Sequence, residues 1–288
     1  MAVAAIAGDV WAQRKRRVVE LHARQGFVRQ LLDFYGALLV VQEKAAADAA
    51  AARPSPSAIA AFVAEVVAPG VIDLSVRVGP ERLRSQLLDR LKTESPQRIV
   101  ECWIAGDEQP MVDRFVARAC LEPVLEALDR PARSACGGVR DARHCPDCGG
   151  PPQLSYFAAA RDDLSSGPRI LLCARCASTW TYSRMTCAGC GEETSAKLPV
   201  FSEHGTTSGE RGSVVRGLPG VPEPDRRDAV FPHMRIDACD TCKRYLLNID
   251  LVTDPSAIPV VDEMAAIPLD LFARERGFAK ITTNLMGF

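Results

Sequence analysis

Four Cys-x-x-Cys pairs crowd into the second half of this chain: Cys145/Cys148, Cys173/Cys176, Cys187/Cys190 and Cys239/Cys242. A single pair can be a redox dithiol or a disulfide. Four pairs in under 100 residues supply eight thiols, enough for two ions with four thiolates each. A tetrahedral zinc or iron ion, about 2.3 Å from each sulfur, suits that ligand set. Two residues between paired cysteines let one tight turn aim both sulfurs at one ion. Gly149 and Gly191, each just after a second cysteine, permit the positive φ that turns backbone N–H groups toward sulfur.

The gaps between pairs are 24, 10 and 48 residues. Two pairings therefore stay open. Sequential pairing joins Cys145, Cys148, Cys173 and Cys176 around one ion and Cys187, Cys190, Cys239 and Cys242 around the other; an interleaved cross-brace joins alternate pairs. The sequential form is favoured because consecutive elements usually lie adjacent.

Cysteine pairs are absent from the first 130 residues, where a helical rhythm runs instead. Val18, Leu21, Val28, Leu32, Tyr35 and Leu39 fall on one stripe of a long helix. Shorter helices are expected around Ile59–Val66, ending near Pro69-Gly70, around Leu83–Leu91, from Ser95-Pro96, and from Met111 to Leu128, split at Pro123. These make an all-α domain over 1–135. The basic run Arg14–Arg17 reads as a solvated helix face. Cys102 and Cys120 read as packing groups and Cys136 as a spare thiol.

Beyond a linker rich in Pro, Ser and Gly the rhythm becomes strand-like. Strands are expected at Leu154–Phe157, Ile170–Leu172, Thr179–Tyr182, Pro199–Ser202, Met234–Ile236 and Tyr245–Leu251. They divide into two small rubredoxin- or zinc-ribbon-like β modules, 140–185 and 186–253, the second carrying an inserted loop at 204–232 with Ser213-Val-Val215 its only strand-like piece. Residues 254–288 form a helical tail, and the fold class is α+β. Such short strands bury little core, so metal is expected to stabilise them, by about 10–16 kcal/mol per site in small zinc fingers. Metal-free protein is then expected to lose this half and keep the helical one.

The formal charge of −1 gives no global pull toward nucleic acid, and loading two divalent ions on eight thiolates would take it to −5. The apolar N-terminus is too short for a signal peptide, and no stretch is read as reaching the ~20 apolar residues that cross a bilayer. A cytoplasmic chain with no membrane insertion is expected, in a compartment that keeps thiols reduced. Phosphate-binding Gly-rich loops, His-Glu-x-x-His helices and Gly-x-Ser-x-Gly elbows are missing from the sequence. Four cysteines per ion leave no open position for substrate. The chain therefore reads as a non-enzyme. None of its four histidines has ligand spacing, and His144 reads as a surface side chain.

Several stretches resemble the formate dehydrogenase accessory protein family (FdhE-type): Cys145-Pro-Asp-Cys-Gly-Gly-Pro-Pro152, Leu172-Cys-Ala-Arg-Cys-Ala-Ser-Thr-Trp180, Cys187-Ala-Gly-Cys-Gly191, Arg235-Ile-Asp-Ala-Cys-Asp-Thr-Cys242 and the tail through Ile258–Glu263 to Gly277-Phe278 and Asn284-Leu285. Thr181 stands where that family often has histidine, and the 204–232 loop is longer than in its shorter members. The resemblance implies an accessory protein acting in the cytoplasm on the catalytic subunit of a molybdenum- or tungsten-dependent formate dehydrogenase. It further implies two ions, iron or zinc, held by the eight cysteines. Rubredoxin-like electron transfer is the alternative. A nucleic-acid-binding zinc ribbon, using Trp180, Tyr182, Arg184, Lys243, Arg244 and Tyr245, is the weakest reading.

Overall fold

The computed structural model describes residues 2–139, 141–158, 167–203 and 229–288. The apolar stripe of the N-terminal half forms two helices and not one. Helix α1 (Ala2–Arg24) stops at Gln25-Gly26, and after a short 3-10 turn α2 (Arg29–Ala52) continues to Arg53, whose left-handed φ of 46° ends it. Six shorter helices follow: α3 (Ile59–Phe62), α4 (Ala68–Val78), α5 (Glu81–Arg90), α6 (Pro96–Ala105), α7 (Met111–Ala127) and α8 (Arg130–Ser134).

Both prolines expected to end helices are tolerated, each for an identifiable reason. Ahead of Pro69 the helix widens to a π turn over Val63–Val67, where Ala68 N–H reaches back to the Val63 carbonyl. The helix then runs on through Pro69, because the wider turn absorbs the missing N–H. The resulting helical stretch Pro56–Val78, 23 residues containing an 18-residue window of mean hydropathy 1.9, is long and apolar enough by length and composition to cross a membrane, which corrects the expectation that no stretch approaches that size. Here it packs against α2, α6 and α7.

Pro123 lies inside α7, and its missing N–H frees the carbonyl of Ala119. The buried Gln42 of α2 donates its Nε2–H to that carbonyl at 3.1 Å. Gln42→Leu is expected to lower stability by about 1–3 kcal/mol, since it leaves a buried acceptor unpaired. An unchanged urea midpoint would count against this account.

The expected strands form, and all described strands join one sheet. Strands β1 (Pro152–Phe157), β2 (Arg169–Cys173) and β3 (Thr179–Tyr182) pair antiparallel, as do β4 (Val200–Ser202), β5 (Met234–Cys239) and β6 (Arg244–Asp250). The two sets meet where β1 runs parallel to β6, Ser155 opposite Asn248, giving the order β3-β2-β1-β6-β5-β4. Each set is a knuckle, two strands, a knuckle and a third strand. The third strand of the second set thus pairs with the first strand of the first, joining the repeats head to tail. The tail contributes α9 (Pro259–Ala265), α10 (Ile267–Glu275) and a two-residue strand β7 (Ala279–Lys280) beside the start of β6. Ser213-Val-Val215 lies outside the described residues.

Strand alternation sorts side chains between the two faces of the sheet. Leu154, Leu172, Ile236, Tyr245, Leu247 and Ile249 join the core that continues through α1, α2, α7 and α9. Leu171 and Leu246 point the other way and meet Ala188 in a separate small cluster. The Arg14–Arg17 run is not a solvated face. Arg16 is exposed and Lys15 pairs with Glu43, but Arg14 and Arg17 are buried. Arg14 forks onto Glu126 of α7 at 2.6 and 2.8 Å. Arg17 reaches Asp262 of α9 at 2.5 Å and Asp254 at 2.7 Å, locking the first helix to the tail.

Candidate metal centres

Each Cys-x-x-Cys pair sits in a knuckle built by the same backbone device. The first cysteine's N–H donates to a carbonyl five residues on, as Cys145 to Gly150, Cys173 to Ser178 and Cys187 to Glu192. The residue after the second cysteine is left-handed in all four knuckles: Gly149 at φ 66°, Ala177 at 56°, Gly191 at 82° and Lys243 at 54°. Only the two glycines adopt this conformation without strain. Left-handed φ costs a residue with a Cβ roughly 1–2 kcal/mol, so Ala177→Gly is expected to raise the thermal midpoint by the equivalent of about 1 kcal/mol. Gly150 has a different role. A Cβ there would lie 2.9 Å from the Cys173 sulfur and 3.2 Å from that of Cys148.

The knuckles pair sequentially. Cys145, Cys148, Cys173 and Cys176 place four sulfurs within 4.8 Å of one another, and Cys187, Cys190, Cys239 and Cys242 do the same. Sulfur separations are 3.7 Å for Cys145–Cys176 and 3.4 Å for Cys148–Cys173 in the first cluster. They are 3.8 Å for Cys187–Cys242 and 3.7 Å for Cys190–Cys239 in the second. A tetrahedron with bonds of about 2.3 Å has edges of about 3.8 Å, so both clusters fit a zinc or iron ion. Backbone N–H groups of Arg175 and Gly189 donate to the sulfurs of Cys173 and Cys187, each at 3.3 Å. Such donors offset thiolate charge. Burial and crowding by the other three sulfurs push the Cys173 thiol well above its ordinary range.

The two clusters differ in their surroundings. All four cysteines of the first are buried, whereas Cys190 of the second is exposed and Cys242 half-buried. The first is also bound to the helices. Arg175 donates to the carbonyls of Cys148 at 2.9 Å and Trp103 at 3.1 Å. Asp147, inside the first knuckle, takes Arg130 at 3.0 Å and Arg133 at 3.1 Å from α8. Cys102, Cys120 and Cys136 lie outside both clusters; Cys120 and Cys136 are buried and Cys102 half-buried. His144 is half-buried and hydrogen-bonded to Asp141 at 2.6 Å. Of the six residues considered for a nucleic-acid face, Tyr245 is withdrawn from the surface, buried with its hydroxyl on Asp270 at 2.6 Å.

Sequence reasoning missed a third group, His233, Asp254 and Asp262, whose ligand-type atoms also lie within 4.8 Å of one another. Arg17 already supplies positive charge to both carboxylates, so this is a buried ion-pair centre. No sequence spacing signals it, since His233 lies just before β5, both aspartates lie in the tail, and the Arg17 that balances them comes from α1.

Residues 223–286, which include Cys239 and Cys242, match the family model described as FdhE, C-terminal domain. The chain resembles the FdhE family in this domain and in its fold. A protein FdhE homolog of Aquifex aeolicus is 30% identical over 145 residues, covering 50% of this chain and 42% of that protein. One from Shewanella oneidensis is 27% identical over 226 residues, covering 74% and 62%. The matched region thus spans less than two thirds of these FdhE relatives' own length. The crystal structure of the FdhE protein from Pseudomonas aeruginosa superposes with a TM-score of 0.60 over 96% of this chain and 95% of that one. At 20% identity that likeness establishes the FdhE fold.

Proposed function

We propose that this chain is a cytoplasmic accessory protein for maturation of a molybdenum- or tungsten-dependent formate dehydrogenase, docking on its catalytic subunit and turning over no substrate. In this reading the eight clustered cysteines hold two ions, iron or zinc, and the helical region 1–135, the modules 140–185 and 186–253 and the tail 254–288 act as one scaffold. Similarity to the FdhE family in sequence and fold is the observation that supports it. The closed four-sulfur cages agree, because an ion inside either has no free coordination position for substrate.

The test is a strain lacking the gene, together with co-purification of the tagged chain and the catalytic subunit. Loss of formate oxidation, restored by the chain and not by its Cys145→Ser variant, is expected. Normal formate oxidation in the deletion strain and no co-purification would reject the reading. The exposure of Cys190 favours a second one, one-electron exchange by iron at the second cluster. A colourless, zinc-only protein from anaerobic preparation removes it.

A further inference from the structure

The sheet face turned away from the helices holds a cavity of about 260 Å³, and four arginines line it: Arg169, Arg184, Arg235 and Arg244. They come from both β modules, two from each. Among the described residues, Asp237 is the only carboxylate in its lining. The site stays net positive even with the formal −2 of a loaded second cluster set against it. Concave, low-dielectric walls concentrate such a field and draw in counter-anions.

Three of the four arginines are held in place before any ligand arrives. Arg184 and Arg235 lie over the ring of Phe157, their guanidinium carbons 4.2 and 4.5 Å from its centroid. Arg169 is 3% exposed and is pinned by the carbonyls of Ser183 at 3.3 Å and Thr186 at 3.1 Å and by Asp237 at 3.2 Å. Its Nε–H has no partner. Arg244 is exposed and has no side-chain partner among the described residues. Stacked, planar forks suit oxyanions, and ordering them beforehand lowers the entropy lost on binding. Leu198, Pro199 and Val200 add an apolar part to the lining. A water molecule's share of liquid volume is about 30 Å³, so the space exceeds what a bare anion needs.

We infer that this cavity is an anion-binding site for a phosphate-bearing small molecule, its oxygens taken by Arg184, Arg244 and the free Nε–H of Arg169. A phosphate group offers three acceptor oxygens and about two negative charges against a carboxylate's one, which answers the surplus of donors and positive charge. The site is separate from the proposed docking on formate dehydrogenase and stands or falls without it.

The test is calorimetric titration of the metal-loaded full chain with inorganic phosphate, pyrophosphate, AMP and citrate. Saturable phosphate or pyrophosphate binding is expected, weakened at least about tenfold by Arg184→Gln and by Arg244→Gln. Arg77→Gln, an equal charge loss at an exposed position of α4, is the control and should leave affinity unchanged. AMP binding tighter than inorganic phosphate identifies an organic ester as the ligand, and the reverse identifies the free ion. Both variants must keep wild-type metal content and circular dichroism. If either does not, Arg244→Lys, which keeps the charge and loses the fork, must still bind more weakly. No binding, an equal loss in Arg77→Gln, or citrate held as tightly as pyrophosphate overturns the assignment.

Discussion

Stripping the metal-loaded chain with a chelator is expected to release its ions in two phases, the second cluster emptying first. Chelator attack needs access to sulfur, and Cys190 is exposed and Cys242 half-buried while all four sulfurs of the first cluster are buried. The first cluster also holds Arg175 against the Trp103 carbonyl and Asp147 against α8, so opening it breaks contacts with the helices as well. Structural zinc contributes roughly 10–16 kcal/mol of apparent binding energy in small fingers, as much as the ~5–15 kcal/mol by which whole domains are stable. The slow phase should therefore coincide with collapse of the sheet. Because one core runs through sheet and helices, the helices should lose thermal stability in that phase too, in place of persisting as the cysteine spacing alone implies. A chromogenic chelator followed beside circular dichroism reads both. Simultaneous release, or an unchanged helical melt after both ions have left, would contradict this picture.

The second large effect is expected at Asp262. Its carboxylate is fully buried and accepts from Arg17 Nε and Nη2 and from the Ile258 backbone N–H at 2.7 Å, with His233 Nε2 at 3.2 Å. Asp262→Ala strands the Arg17 guanidinium, itself 2% exposed, with only the peripheral Asp254 and Glu20 to balance it. Removing one partner of a buried pair costs about 3–5 kcal/mol, which for a chain of this size lowers the melting temperature by about 10 °C. Replacing both partners, Arg17→Met with Asp262→Ala, should recover part of that loss, because no charge is then left buried. A double variant no more stable than Asp262→Ala would mean the damage is a cavity and not an orphaned charge.

Local signals in the sequence were read well where the physics is local. Alternation placed all six longer strands, and the two-residue spacing of paired cysteines located all four knuckles. Glycine marked only half of the left-handed positions, since Ala177 and Lys243 adopt the same φ with no residue type to announce it. Proline misled in the other direction. The helix breaks expected at Pro69 and Pro123 are repaired by a π turn and by Gln42, and Gln42 lies 77 residues before the carbonyl's position in its own helix. Arg14 and Arg17 looked solvated because their partners, Glu126 and Asp262, sit 112 and 245 residues away. The joining of two modules into one sheet through β1 and β6 was equally invisible, because parallel pairing leaves no turn between the strands to read.

The clasp between Arg17 and Asp262 ties synthesis to competence. A ribosome adding about 5–20 residues per second delivers Asp262 roughly 12 to 50 s after Arg17 has been made. Throughout that interval the leading helix carries a guanidinium whose resting place does not yet exist. The nascent N-terminal half is thus held back from its final seat until the tail emerges, and a chain released early would keep that helix unlatched.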